Sequence, residues 1–115
     1  MKYLLDTCVL SELIKPRPDP SLIAWVDQQD ESELCLSVLT LGELRKGVEG
    51  LDDGRKRSRL AQWLEHELKP RFADRLLGVD ADVAERWGIV SAQARKKGMA
   101  VPVIDGLIAA TALVH

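Results

Sequence analysis

A three-layer α/β/α sandwich around a parallel sheet is the fold class this sequence predicts, and three observations predict it. Apolar runs of only three or four residues recur at 3–5, 34–37 and 76–79, the length of buried parallel strands. The stretches between them are longer and place apolar residues at helical spacing. The two kinds of segment alternate along the chain, as in repeated strand–helix–strand units.

The first run, Tyr3-Leu4-Leu5, ends in Asp6, so this carboxylate should emerge at the carboxyl edge of the sheet. Residues 7–15 predict a short helix, stopped by the Pro16-Arg17-Pro18 turn. Asp19-Pro20 reads as an N-cap followed by proline at the first helical position, with Leu22, Ile23 and Val26 facing inward. Leu34-Cys35-Leu36-Ser37 is the second strand. Thr40 is expected to open the next helix, which ends near Gly47 or Gly50. After a connector at 51–54, residues 55–68 form an amphipathic helix with Leu60, Trp63, Leu64 and Leu68 along one stripe. The run at 76–79 is the third strand. Asp80 caps a long helix bearing Val83, Trp87, Val90 and Ala94, closed by Lys96, Lys97 and Gly98. Val101-Pro102-Val103-Ile104 leads to Asp105, and residues 106–114 predict a last, alanine-rich helix.

With 115 residues the chain is read as one domain. Its composition, 46% hydrophobic and 30% charged, is that of a globular protein and not of a disordered one. A net charge of −2 gives no global attraction for nucleic acid, so any such binding must come from local basic patches or metal ions. The two cysteines, Cys8 and Cys35, lie in apolar runs without ligand spacing and read as small buried hydrophobes in a reducing, cytoplasmic setting. No apolar run is long enough to cross a bilayer, and Asp6 interrupts the N-terminal one too early for a signal peptide.

Three carboxylates occupy comparable places: Asp6 after the first strand, Glu43 in the first turn of a helix, and Asp105 at the start of the last helix. Ligand sites in open α/β sheets form outside the carboxyl ends of the strands. Carboxylates that meet there repel one another unless a hard cation such as Mg²⁺ or Mn²⁺ joins them. Such an ion can activate water and offset charge on a phosphate. Each acid also admits a structural reading. Thr40-Leu41-Gly42-Glu43 fits a capping box, and Asp105 before Gly106 fits an N-cap. Asp6 has no evident structural use.

Three segments carry a resemblance. Residues 4–12, Leu-Leu-Asp-Thr-Cys-Val-Leu-Ser-Glu, resemble the opening of PIN domains of the VapC and FitB type. Residues 36–47, Leu-Ser-Val-Leu-Thr-Leu-Gly-Glu-Leu-Arg-Lys-Gly, resemble their second motif, and residues 102–112, Pro-Val-Ile-Asp-Gly-Leu-Ile-Ala-Ala-Thr-Ala, their third. Three concordant motifs in the right order are far more specific than one. The resemblance implies a PIN-like fold and an endoribonuclease that uses Mg²⁺ or Mn²⁺ and serves as the toxin of a toxin–antitoxin pair. It implies that Asp6, Glu43 and Asp105 are the catalytic and metal-binding acids, with Thr7 a polar neighbour in the substrate pocket. It also implies an antitoxin partner, an RNA substrate and a homodimer. Such PIN domains continue into a further strand and a fourth acidic residue, and this sequence ends before that segment. Weak metal binding and poor cleavage are the expected consequence.

Among the remaining residues, Arg45 and Lys46 lie within a turn of Glu43 and are candidate substrate contacts. The basic clusters at 55–59 and 95–97 suit solvated helix faces as well as RNA. Trp25, Trp63 and Trp87 lie on apolar stripes and read as packing residues; His66 and His115 read as surface residues. Two rival functions remain: a PIN-fold interaction module without turnover, and a receiver-type phosphoacceptor. The second would need an acidic pair after the first strand and a lysine near the last, neither of which is evident.

Overall fold

The computed structural model describes residues 2–115. Strands β1 (Tyr3–Leu4), β2 (Leu34–Ser37) and β3 (Leu76–Leu77) form a parallel sheet in the order β1-β2-β3. Tyr3 lies opposite Leu34 and Leu4 opposite Cys35, while Leu36 pairs with Leu76 and Ser37 with Leu77. All four residues of β2 are buried, as a central strand covered on both faces should be.

Helices α1 (Thr7–Leu13) and α2 (Pro20–Gln28) connect β1 to β2. Helices α3 (Val38–Glu49) and α4 (Arg55–Trp63) connect β2 to β3. Helix α5 (Ala81–Lys96) follows β3 and packs along α6 (Val103–Val114), whose other contacts include α3. The hairpin of α5 and α6 packs mainly on itself and meets the rest of the fold through α3.

The predicted caps at Asp19 and Asp80 are in place. The Asp19 carboxylate accepts from the Ser21 amide at 2.8 Å and the Asp80 carboxylate from the Val83 amide at 2.9 Å. Helix α5 ends where Gly98 takes up the left-handed conformation (φ 75°), and the Met99 amide turns back onto the Ala94 carbonyl at 2.9 Å.

The helix begun at Arg55 widens into a π-turn at Leu64–Leu68 and closes with Lys69–Arg71. Pro70 accounts for the widening: it has no amide to donate and its ring crowds the carbonyl four residues back. The wider turn keeps Leu64, Leu68 and Phe72 all buried in one core with Leu5, Leu10, Leu34 and Leu36.

Arg71 and Arg75 lock the entry of β2 to that of β3. Arg71 grips the Glu31 carboxylate with Nε and Nη2, at 2.5 and 2.9 Å, and Arg75 Nη2 adds a bond of 3.0 Å. Arg75 Nη1 also donates to the Leu34 carbonyl at 2.9 Å, and both guanidinium groups lie over the Phe72 ring. The arginines, Arg71 foremost, hold the Glu31 carboxyl down at about 2.

One expectation fails at Cys8, which is exposed, while Cys35 is buried. Helix α1 turns Leu10 into the core, and Cys8, two positions earlier, falls on the outer side. Of the three inward residues expected on α2, Val26 is buried but Ile23 is exposed.

Candidate metal centre and cleft

The chain leaves β1 through Leu5, whose amide bonds the Cys35 carbonyl at 2.9 Å, and Asp6 follows at once. Asp6 is the N-cap of α1: its Oδ1 accepts from the Val9 amide at 2.9 Å. This is a structural use that the sequence did not suggest. It leaves Oδ2 without a protein donor among the described residues. Asp6 is exposed.

Glu43 is not part of a capping box. Helix α3 starts directly from β2, with Ser37 as its N-cap accepting from the Leu39 amide at 3.0 Å. Glu43 therefore sits in the second turn of α3, and Thr40 is fully buried inside it with its hydroxyl unpartnered among the described residues. Glu43 Oε1 instead accepts a 3.0 Å hydrogen bond from Thr7 Oγ1. The first residue of α1 is thereby tied to α3 across 36 positions of sequence, and Thr7 is the immediate neighbour of Asp6. Glu43 Oε2 has no protein donor among the described residues.

Asp105 is not an N-cap either. Helix α6 begins at Val103 behind Pro102, so Asp105 is its third residue, in the first turn and exposed. Ile104, one residue earlier, lines a cleft of about 600 Å³ together with Thr7, Glu43 and Lys46. A smaller cleft of about 230 Å³ shares Thr7, Glu43 and Gly47 and runs toward Lys56, Leu60 and Trp63.

The structure thus joins Thr7 and Glu43 on one cleft wall, with Asp6 the chain neighbour of Thr7 and Ile104 of α6 also lining the cleft. It does not gather the three acids: among the described residues, no three His, Cys, Asp or Glu side chains form a group able to hold a metal ion. The donors present suit a hard cation in type. They are carboxylate oxygens, two of them uncommitted, with no thiolate or imidazole on the cleft walls beside Glu43.

The two basic candidates next to Glu43 differ. Arg45 is engaged by Glu65 and, at 3.7 Å, by Glu49, so its charge is largely spent within the protein. Lys46 has no ion-pair partner among the described residues and lines the larger cleft. Within the 55–59 cluster, Arg57 is held by Glu49 and Asp53, whereas Lys56 lines the smaller cleft. Lys56 was hidden in the sequence by its basic neighbours. The signal that could have selected it is its four-residue spacing from Leu60, which places it above the apolar stripe. The tryptophans behave as expected: Trp25 packs edge-on against Tyr3 with ring centroids 4.9 Å apart, and Trp63 lies against the core.

A profile of the PIN domain matches residues 3–115. The chain belongs to the PIN-domain family. Over 112 residues this PIN domain is 40% identical to the VapC ribonuclease Y4jK of Sinorhizobium fredii, spanning 97% of the chain and 80% of that protein. Toxin FitB of Neisseria gonorrhoeae is 39% identical over 112 residues, with 97% and 81% covered. Among solved structures, that of FitAB bound to the IR36 DNA fragment superposes with a TM-score of 0.89 at 38% identity, covering 97% of this chain and 78% of the other. DNA-bound VapBC from Salmonella typhimurium superposes at 0.76 and 27% identity, covering 97% and 79%. The PIN-like α/β fold and the VapC/FitB kinship expected from the three motifs both hold. Among the described residues, no helix is long and apolar enough to cross a membrane.

Proposed function

We propose that this PIN domain is an endoribonuclease dependent on Mg²⁺ or Mn²⁺, and that it acts in the cytoplasm as the toxin of a toxin–antitoxin pair. The observation that carries the reading is the bond from Thr7, the chain neighbour of Asp6, to Glu43, which holds a part-buried carboxylate in a cleft open to solvent. Asp6, Glu43 and Asp105 would hold the ion, which when bound would activate a water and offset the charge of the scissile phosphate. The chain's own residues do the rest. Thr7 fixes the Glu43 carboxylate in one orientation and leaves Oε2 free. Lys46 attracts the RNA backbone at the cleft, with Lys56 as its counterpart beyond Glu43. Arg45, tied to Glu65, acts mainly by holding α3 against the helix that carries that residue.

The proposed partners are a cognate antitoxin protein, supported by a solved structure from the VapBC family of toxin–antitoxin systems, and, as the motif resemblance implies, a second copy of the chain. Ile89 and Leu113, on the α5–α6 hairpin, are apolar residues exposed in the single chain that such a homodimer could cover.

A second reading, an interaction module without turnover, is favoured by one observation: the three acids are not gathered into an ion-holding group. An RNA cleavage assay on the full-length protein separates the two. The nuclease reading expects cleavage with Mg²⁺ or Mn²⁺, none with a chelator, and none by Asp6→Asn, whose fold is unchanged. Antitoxin binding without cleavage under either metal would replace it with the interaction module.

A further inference from the structure

Lys56, Leu60 and Trp63 recur at four and three residues along α4, a spacing that keeps them on one face. That face lines two clefts, and Ile14 at the end of α1 lines both from the other side. The smaller cleft of about 230 Å³ shares Thr7 and Glu43 with the larger one described above. It shares Ile14, Leu60 and Trp63 with a third cleft, of about 600 Å³, that Arg59 and His66 also line. The three clefts therefore form one continuous track that starts at Glu43 and runs along α4.

The floor of this track is apolar and its rim is basic. Ile14, Leu60 and Trp63 are half-buried, and Trp63 packs against the core while also lining both clefts. Lys56 and Arg59 are exposed and have no ion-pair partner among the described residues, whereas Arg57 between them is spent on Glu49 and Asp53. Beyond Glu43 one acid, Glu67, lines the track, in the third cleft. An aromatic ring with free cations beside it fits a nucleobase and its phosphates: the ring stacks on any base, and the cations follow the backbone. From Lys56 to Trp63 the helix rises by about 10 Å, room for about three stacked nucleotides. Such stacking needs bases that are not already paired.

We propose that the groove between the end of α1 and α4 is a binding track for single-stranded RNA beside the Glu43 cleft, with Trp63 stacking a base and Lys56 and Arg59 holding the phosphates. This rests on the RNA-substrate reading above and on no bound ion. The strand passes Glu43 and is carried on along α4, so these residues set how far it must be unpaired beside the cleft. An amphipathic protein segment is the other occupant suited to an apolar floor. The free cations and the continuity with the Glu43 cleft favour the nucleic acid.

The test is the affinity of the full-length protein for a fluorescein-labelled single-stranded RNA of about 12 nucleotides. Fluorescence anisotropy reads it in EDTA, so that nothing is cut, and circular dichroism reports the fold. Lys56→Ala/Arg59→Ala should weaken binding about tenfold and lower the slope of log affinity against log salt by about 1.4. Trp63→Leu should weaken it about fivefold or more and leave that slope unchanged, because a stacked ring is lost and no charge. A duplex of the same strand should bind with an affinity that Trp63→Leu does not alter. If Trp63→Leu does not fold, the Lys56→Ala/Arg59→Ala variant decides alone, since both of its positions are exposed. Wild-type affinity and slope in that variant, or wild-type affinity in a folded Trp63→Leu, would overturn the track and leave the RNA reading standing. Unchanged RNA binding with loss of a co-expressed antitoxin would assign the groove to a protein segment and overturn the track as well. No RNA binding by the wild type would remove the RNA-substrate reading itself, and the track with it.

Discussion

Replacing Glu31 by glutamine keeps the shape of the side chain but removes the charge that Arg71 and Arg75 hold at the entry to β2 and β3. The carboxyl stands at about 2 in the folded protein, below its ordinary value of 4.5. Because the folded value is depressed, the stabilisation is fully present above about pH 4.5 and is lost as the pH falls through 2. Taken at face value the shift corresponds to about 3 kcal/mol. The Glu31 side chain is 50% exposed, however, and solvent screening brings the expected contribution to about 1 kcal/mol. Urea denaturation of wild type and Glu31→Gln across pH 7 to pH 3 measures it. The variant should be less stable by about 1 kcal/mol at pH 7, and the difference should fall to under about half by pH 3, as the wild-type carboxyl gains its proton in the unfolded chain. Equal stability at pH 7, or a difference that stays constant down to pH 3, would refute the reasoning.

Other outcomes follow from the same contacts. Thr7→Val removes the hydroxyl that orients Glu43; it should cost about 1 kcal/mol of stability by denaturation and weaken Mn²⁺ binding severalfold in a titration. Asp80→Ala removes the cap of α5 and should lower stability by about 1 kcal/mol, visible as a lower urea midpoint with an unchanged slope. Phe72→Ala empties a fully buried site beneath both arginines and should cost about 3–5 kcal/mol, measured by the same titration. A thiol reagent should modify Cys8 in the native protein at once and Cys35 only on unfolding, which mass spectrometry of the modified peptides resolves.

The strands were legible because each is a short apolar run bounded by polar residues, and the caps at Asp19 and Asp80 because each precedes an unmistakable helical stripe. The capping roles of the three acids were misread for one shared reason. Whether an acid caps a helix depends on where the helix begins, and boundaries are the weakest part of a sequence reading. Ser37 and Thr40 are both able to cap α3. The chain passes from β2 into the helix with no loop, Ser37 takes the role, and Glu43 is released to meet Thr7. At α6, the apolar stretch at 101–104 reads as extended, yet its last two residues are helical and carry Asp105 into the first turn. Asp6, which showed no structural use, turned out to be the cap. The pairing of Arg45 with Glu65 lies beyond any local pattern, since the two are 20 residues apart and meet only when α3 packs on the helix beside it. Contact between Trp87 and Gly106 is of the same kind: the stripe on α5 shows that the ring faces inward, not which backbone it meets.

The central claim, that RNA is cut at a divalent ion held by the acids around Glu43, is tested most directly by one titration. The single-turnover rate of RNA cleavage by the full-length protein is followed against Mn²⁺ concentration, for wild type and for Glu43→Gln. The wild-type rate should rise with Mn²⁺ and saturate. The Glu43→Gln rate should need far more Mn²⁺ and reach a lower plateau, because one negative ligand is gone while the bond from Thr7 can still form. A wild-type rate that does not depend on Mn²⁺, or a Glu43→Gln curve that overlays it, would contradict the account.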